Sequence, residues 1–254
     1  EDGNLWKYSY QNIDAITEEN LSPSLDYLIP QVEFSPEKFS LAGKQGDMTD
    51  WNSFGKWYYH QLMSPVSVVT PEILAEVAAL NLKGTTSEKV KTLFQYMQNK
   101  TRYVFIAMGI GGWQPMPASE VSKKGYGDCK ALTNYMRTLL TAAGIPSYYA
   151  IIYNGDSVIN FDKDFPKFSG NHAILMVPTE KDPIWLENTS QRIAFNHLSY
   201  SSPNSNVLAV KENGIELINT PIYKPEESKE KLIGKINIAE DGSISSTANF
   251  EFSG

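Results

Sequence analysis

The sequence predicts an α+β fold, with helices packed on an antiparallel β-sheet. Three observations carry that prediction. Segments with helical apolar spacing crowd between Trp51 and Ala143. Runs with strand character crowd after Ser147. Two of those runs, from His172 and from Ile184, flank the four-residue turn Thr179-Glu180-Lys181-Asp182, the signature of a hairpin. Residues 51–222 are expected to form the core. Residues 1–50 read as an extended segment or the remnant of an N-terminal β domain, and 223–254 as a linker and the start of a C-terminal one.

Before the core, Leu5 to Tyr10 alternates like a strand, and Tyr27 to Pro30 and Val32 to Phe34 read as edge pieces. Gly43 to Gly46 reads as a flexible connection. From Trp51 to Met63, Trp51, Phe54, Trp57, Tyr58 and Leu62 recur at helical spacing. This aromatic stripe reads as core, and His60 within it has no expected catalytic task. Thr70-Pro71-Glu72 starts a helix to about Leu82, with Ile73, Val77 and Leu80 inward and Gly84 as its end. Ser87 is the expected cap of the next helix, which places Val90, Leu93, Phe94 and Met97 on one face as far as about Asn99.

Tyr103 to Ile106 reads as extended chain. Gly109 to Pro115 is a glycine-rich loop that lacks the lysine, the following hydroxyl residue and the helix of a phosphate loop. Pro117 to Val121 reads as a short helical turn. Asp128 then caps the most clearly amphipathic helix, which begins at Cys129 and carries Leu132, Tyr135, Met136, Leu139 and Leu140 inward. Gly144-Ile145-Pro146 stops it. Strand candidates follow at Ser147 to Tyr153 and at His172 to Val177, with a polar loop, 154–169, between them. Further strands are expected at Ile184 to Glu187, at Val207 to Val210 and at Ile215 to Ile218. After a charged linker, 226–231, Asp241-Gly242 marks a last hairpin.

Composition narrows the function. A net charge of −7 with no basic stripe argues against nucleic acid. No apolar run approaches the length of a membrane span. The histidines and the single cysteine lack zinc spacing, and no metal or cofactor is expected. One cysteine forms no intramolecular disulfide, so redox compartment is left undetermined. Hydrophobic content of 41%, with 14 tyrosines and 5 tryptophans, argues for a packed core. Glu1 is not an initiator methionine, so the start is expected to have been removed.

Cys129 is the candidate nucleophile. In the first helical turn, unpaired N–H groups and the helix dipole favour a thiolate. A lone cysteine is as readily a small core residue. Asp128 is expected to act as a cap and Lys130 as a surface cation. A nucleophilic cysteine needs a base, and the base needs an orienting group. Of the three histidines, only His172 begins a strong strand. If Pro178 faces Pro183 in the hairpin, Ile174 faces Glu187 and His172 faces Thr189. His172, Ile174, Met176, Trp185 and Glu187 then share one sheet face, and Asn188 points to the other. This register selects Glu187 over Asn188 as the orienting group, and a one-residue bulge would reverse the choice.

The segment Tyr126-Gly127-Asp128-Cys129-Lys130, with Leu140, Ala143-Gly144-Ile145-Pro146 and Tyr149, resembles the transglutaminase-like superfamily of papain-like cysteine enzymes. Asn171-His172-Ala173-Ile174 and Trp185-Leu186-Glu187-Asn188-Thr189 are similar to its histidine and acidic motifs. The superfamily usually has aspartate where Glu187 stands. The resemblance covers roughly 57–200 and points to a bacterial branch with a β domain on either side of the core. It implies Cys129 as nucleophile, His172 as general base and acid, and Glu187 as orienter. The oxyanion donors would be the Cys129 backbone N–H and either the Gln114 amide or the Trp113 indole. A thioester resolved by water makes a peptidase or amidase; one resolved by a lysine-like amine makes a cross-linking acyltransferase. The expected substrate is a protein or peptide, and the branch suggests an extracytoplasmic setting, periplasmic or secreted. The rival reading is a non-catalytic binding module on the same fold. Oligomeric state is not readable.

Overall fold

The computed structural model describes residues 7–253 except 18, 21, 24, 156–158 and 200. The described part of the N-terminal region runs irregularly to the hairpin of β1 (Lys38–Leu41) and β2 (Lys44–Asp47). The strand expectation over Leu5 to Tyr10 falls partly outside the described residues, and Lys7 to Tyr10 is not a strand. Nor do Tyr27 to Pro30 and Val32 to Phe34 pair as strands. Gly43 sits at φ +80° in the tight β1–β2 turn, so 43–46 is a turn and a paired strand, not a flexible connection.

Five helices follow: α1 (Trp51–Trp57), α2 (Pro71–Ala79), α3 (Thr86–Lys100), α4 (Ala118–Lys124) and α5 (Cys129–Ala142). The aromatic helix loosens after α1 into a π-helical segment, Tyr58–Met63. α2 stops short of the expected Leu82 because Asn81 turns left-handed, at φ +46°. α3 is capped at Thr85, not Ser87. Thr85 and Glu88 form a reciprocal capping box, which satisfies two helix-end N–H groups where Ser87 would satisfy one. Short parallel strands β3 (Arg102–Tyr103) and β4 (Tyr126–Gly127) join the chain on either side of the glycine loop.

The main sheet has five strands, all antiparallel, in the order β7-β6-β5-β8-β9. They are β5 (Tyr148–Ile152), β6 (His172–Val177), β7 (Ile184–Leu186), β8 (Asn206–Lys211) and β9 (Gly214–Asn219). Both faces are covered. One carries Leu175, Val177 and Leu186 against the apolar sides of α2 to α5, and Tyr149, Ile151 and Val210 against the aromatic side chains of α1. The other buries Ile152, Ile174, Met176 and Trp185 with Leu198. α1 lies so close to the β8–β9 turn that a Cβ on Gly55 would collide with the backbone of Gly214. This is a steric use of glycine.

Cys129 stands at a seam. The body of α5 belongs to the aliphatic cluster, while its first residue packs with the aromatic one. Beyond the core, β10 (Lys229–Ile238) and β11 (Ile244–Ser253) pair as a long hairpin. The charged stretch expected to be a linker is in part β10 itself, where lysine and glutamate alternate in an extended strand. Leu232, Ile236, Ile238, Phe250 and Phe252 of this hairpin are exposed.

Candidate active site

The cysteine is set by its cap. Asp128 is extended, and its side chain accepts from the Ala131 N–H at 2.9 Å, which fixes where α5 begins. Asp128 is buried and its second carboxylate oxygen pairs with Lys130. Lys130 is therefore half-buried and neutralises the cap instead of standing as a free surface cation. The N–H groups of Cys129 and Lys130 precede the intrahelical ladder and face the end of the helix.

The histidine is set by its strand. β6 pairs with β7 with Leu175 opposite Leu186 and Met176 opposite Trp185. That is the register read from the sequence, and its continuation places Ile174 opposite Glu187. His172 Nε2 and Glu187 Oε2 lie 2.8 Å apart. The Cys129 thiol lines the same cleft as the ring and is among the groups that raise its pKa. Asn188 points the other way. Its Nδ2 donates to Thr133 Oγ1 at 3.1 Å, and Thr133 in turn donates to the Ala173 carbonyl at 3.1 Å. This chain ties α5 to β6 one residue from His172.

Glu187 is buried and fully engaged. Besides His172 it accepts from the Thr189 N–H at 3.1 Å, Thr189 Oγ1 at 2.6 Å and Ser199 Oγ at 3.4 Å. Burial pushes its pKa up, but the hydrogen bonds and charge of His172 and the Thr189 donors outweigh that and hold it below the usual carboxylate value. For His172, burial acts to lower the pKa. Hydrogen bonds to Cys129 and Glu187, with their charges, more than reverse this and push it up to about 10. An imidazolium held between a sulfur and a carboxylate is the arrangement that supplies a proton to a leaving amine.

Cys129 and His172 open on a narrow cleft of about 60 Å³, whose other walls include Trp113, Tyr58, Tyr149 and Phe168. Trp113 reaches this cleft. Gln114 does not: its amide donates to the Leu62 carbonyl at 3.2 Å, and it lines a separate cavity beside Asp128. The Tyr58 hydroxyl donates to the Trp113 carbonyl at 3.2 Å and so steadies the glycine loop. From the sequence Tyr58 reads only as core and Thr189 only as a register and motif position, while Phe168 and Ser199 carry no reading of their own. Glu187 accepts from both the N–H and the hydroxyl of Thr189, two residues on, so this contact is local to the chain. His60 is exposed and away from the cleft, and His197 stacks on Tyr223 with ring centroids 4.6 Å apart. Among the described residues no group of three histidine, cysteine or acidic side chains is placed to hold a metal ion. No single helix there is long and apolar enough to cross a membrane.

The core of the chain is similar to known proteins. Residues 75–187 match the model of the transglutaminase-like superfamily. A solved structure from Parabacteroides distasonis, provisionally named a protease, superposes over 74% of this chain with a TM-score of 0.50 and 16% identity. The chain spans only 38% of that protein's length. A provisionally named cysteine protease from Cytophaga hutchinsonii matches 75% of this chain and 54% of its own, at TM-score 0.36 and 15% identity. A structure named a TGase matches 51% of this chain and 33% of its own, at TM-score 0.34 and 16% identity. No curated protein matches. With the matched segment beginning in α2 and closing on Glu187 itself, and with the fold shared by the Parabacteroides protein, the core of this chain is transglutaminase-like.

Proposed function

We propose that this chain is a cysteine enzyme acting on amide bonds, as a peptidase or amide hydrolase on protein or peptide substrates. The observation that carries the reading is His172 hydrogen-bonded to Glu187 and sharing a narrow cleft with Cys129. In this reading Cys129 Sγ attacks the amide carbonyl carbon, and the carbonyl π pair moves onto oxygen. The Cys129 N–H at the helix end meets that oxyanion, with Trp113 as the second donor on the cleft wall. Gln114 could serve there only after leaving the Leu62 carbonyl. The C–N bond then breaks, and His172 gives its proton to the departing amine. Water attacks the resulting thioester as His172 takes one of its protons. Breaking the C–S bond returns the sulfur and releases the acid. Glu187 holds the ring and its charge throughout.

Cross-linking is a second reading, supported by the narrow aromatic cleft, where excluded water would leave a lysine-like amine as acceptor. The flanking hairpins as parts of β domains, and an extracytoplasmic setting, rest on the sequence resemblance alone. The test is intact-mass analysis of purified protein incubated with a peptide library. An acyl adduct on Cys129 is expected, and it should vanish in Cys129→Ala along with all turnover while the fold persists. Turnover retained by Cys129→Ala would remove the assignment, and an inert thiol would leave a binding module. Added primary amine captured in product would favour cross-linking over hydrolysis.

A further inference from the structure

An apolar cavity of about 280 Å³ lies directly beside the catalytic cleft. The two share Trp113 and Phe168, whose rings lie 4.5 Å apart and form the partition between them. The other walls come from before the matched core: Phe39, Met48, Phe54 and Trp57 from the β1–β2 hairpin and α1. Phe39 stands edge-on to Trp57 at 4.7 Å, and Phe54 stacks on Trp57 at 5.8 Å, so the lining is rigid and aromatic. At the mouth Phe34 is 70% exposed, an apolar ring left in water at the lip of an apolar hole. Among the residues lining the cavity only Lys167 is charged, and Glu33 pairs with it.

We infer that this cavity is a specificity pocket that takes a bulky uncharged apolar side chain of the peptide whose amide lies over Cys129. The inference rests on the amide-cleaving reading and adds a substrate class to it. The distances suit it. Successive residues of an extended peptide advance about 3.3 Å, and a wall one aromatic ring thick separates cleft from cavity. A residue one or two positions from the scissile amide therefore reaches over the Trp113–Phe168 partition. The chemistry excludes other occupants. A carboxylate would find the one cation already neutralised and be buried without a partner, and an ammonium would find ring faces but no unpaired acid to offset its lost hydration. Phenylalanine or leucine fits the volume and covers Phe34.

Binding is measured on the Cys129→Ala protein, so that no peptide is cut. The probes are blocked alanine tetrapeptides carrying phenylalanine, leucine, aspartate or lysine at one position at a time, followed by quenching of tryptophan fluorescence. Phenylalanine and leucine at one position should bind about tenfold or more tighter than alanine, with aspartate and lysine no tighter than alanine. Ser40→Trp, at the exposed rim, should abolish that gain and leave the all-alanine peptide unchanged. Phe34→Ala, which removes an exposed ring and spares the fold, should reduce the gain severalfold. Equal affinity across the panel, no binding at all, or a gain that survives Ser40→Trp would overturn the pocket. Turnover by the unmodified protein is scored separately. Side-chain preference without turnover upholds the pocket and overturns the enzyme. Turnover without preference does the reverse.

Discussion

Two carboxylates inside this chain invite comparison. Glu76, on α2, is half-buried and takes hydrogen bonds from Lys100, Ser122 and Tyr135, on α3, α4 and α5. Glu187, at the end of β7, is buried and takes them from His172, Thr189 and Ser199. Burial raises both pKa values and hydrogen bonding overrides it in both, so both acids sit below their ordinary value. What separates them is the partner. Lys100 pins Glu76 in an ion pair that faces no thiol, so Glu76 is a fixed knot joining four helices. Histidine can give its proton away, and the one held by Glu187 shares a cleft with the Cys129 thiol. A displaced acid alone does not mark a site; an acid whose counter-charge is itself movable, at the wall of a cleft, does.

Substitution separates the two roles. Glu187→Gln keeps the shape and removes the charge that holds the imidazolium. Turnover should fall by about two orders of magnitude, the scale of a lost acid–base contribution, with little change in the amount of folded protein. Steady-state kinetics beside circular dichroism would show it, and unchanged turnover would reduce Glu187 to a structural acid. Glu76→Gln should do the opposite. It strands Lys100 and weakens three helix junctions, so stability should drop by about 2 kcal/mol while activity per folded molecule stays level. Urea titration with active-site counting would check this, and an activity loss larger than the loss of folded protein would end the contrast.

A subtler separation comes from pH. His172 is raised on folding, so its share of stability is complete below the imidazole value of the unfolded chain, about 6.5, and drains away as pH climbs to about 10. Glu187 is lowered, so its share is present above the unfolded carboxylate value and is lost only as pH falls through the lower folded one. The stability difference between the native chain and His172→Ala should therefore narrow between pH about 6.5 and about 10. The difference between the native chain and Glu76→Gln should stay flat across that interval. Melting curves across the range decide it, and parallel curves for both variants would contradict the raised imidazolium.

Much of this was written locally in the chain. The cap at Asp128, the hydrophobic run of β6 and the short turn before β7 are nearest-neighbour signals, and they suffice to set the register that brings His172 to Glu187. The capping box at Thr85 was equally local and was misread, because Ser87 stands closer to the first apolar position. Other features had no local signal. Gln114 was a reasonable donor by its place in a glycine loop, but its amide is claimed by the Leu62 carbonyl, 52 positions away in sequence. Phe168 lies in what reads as a polar loop, and only the aromatic packing of α1 reveals its place beside Trp113. The alternation of β10 and β11 was legible as a hairpin, while long-range contacts alone decide what such a hairpin rests on.

The sulfur rides on a helix and its imidazole on a strand of a different layer, bridged by Thr133 and Asn188. Neither half is dangerous by itself. A growing polypeptide on the ribosome carries the thiol well before the ring emerges, and the ring before its carboxylate. The proposed chemistry would thus wait until α5, β6 and the residue after β7 are together. A partly unfolded copy would lose the pairing of ring and carboxylate on which the proposed reaction depends.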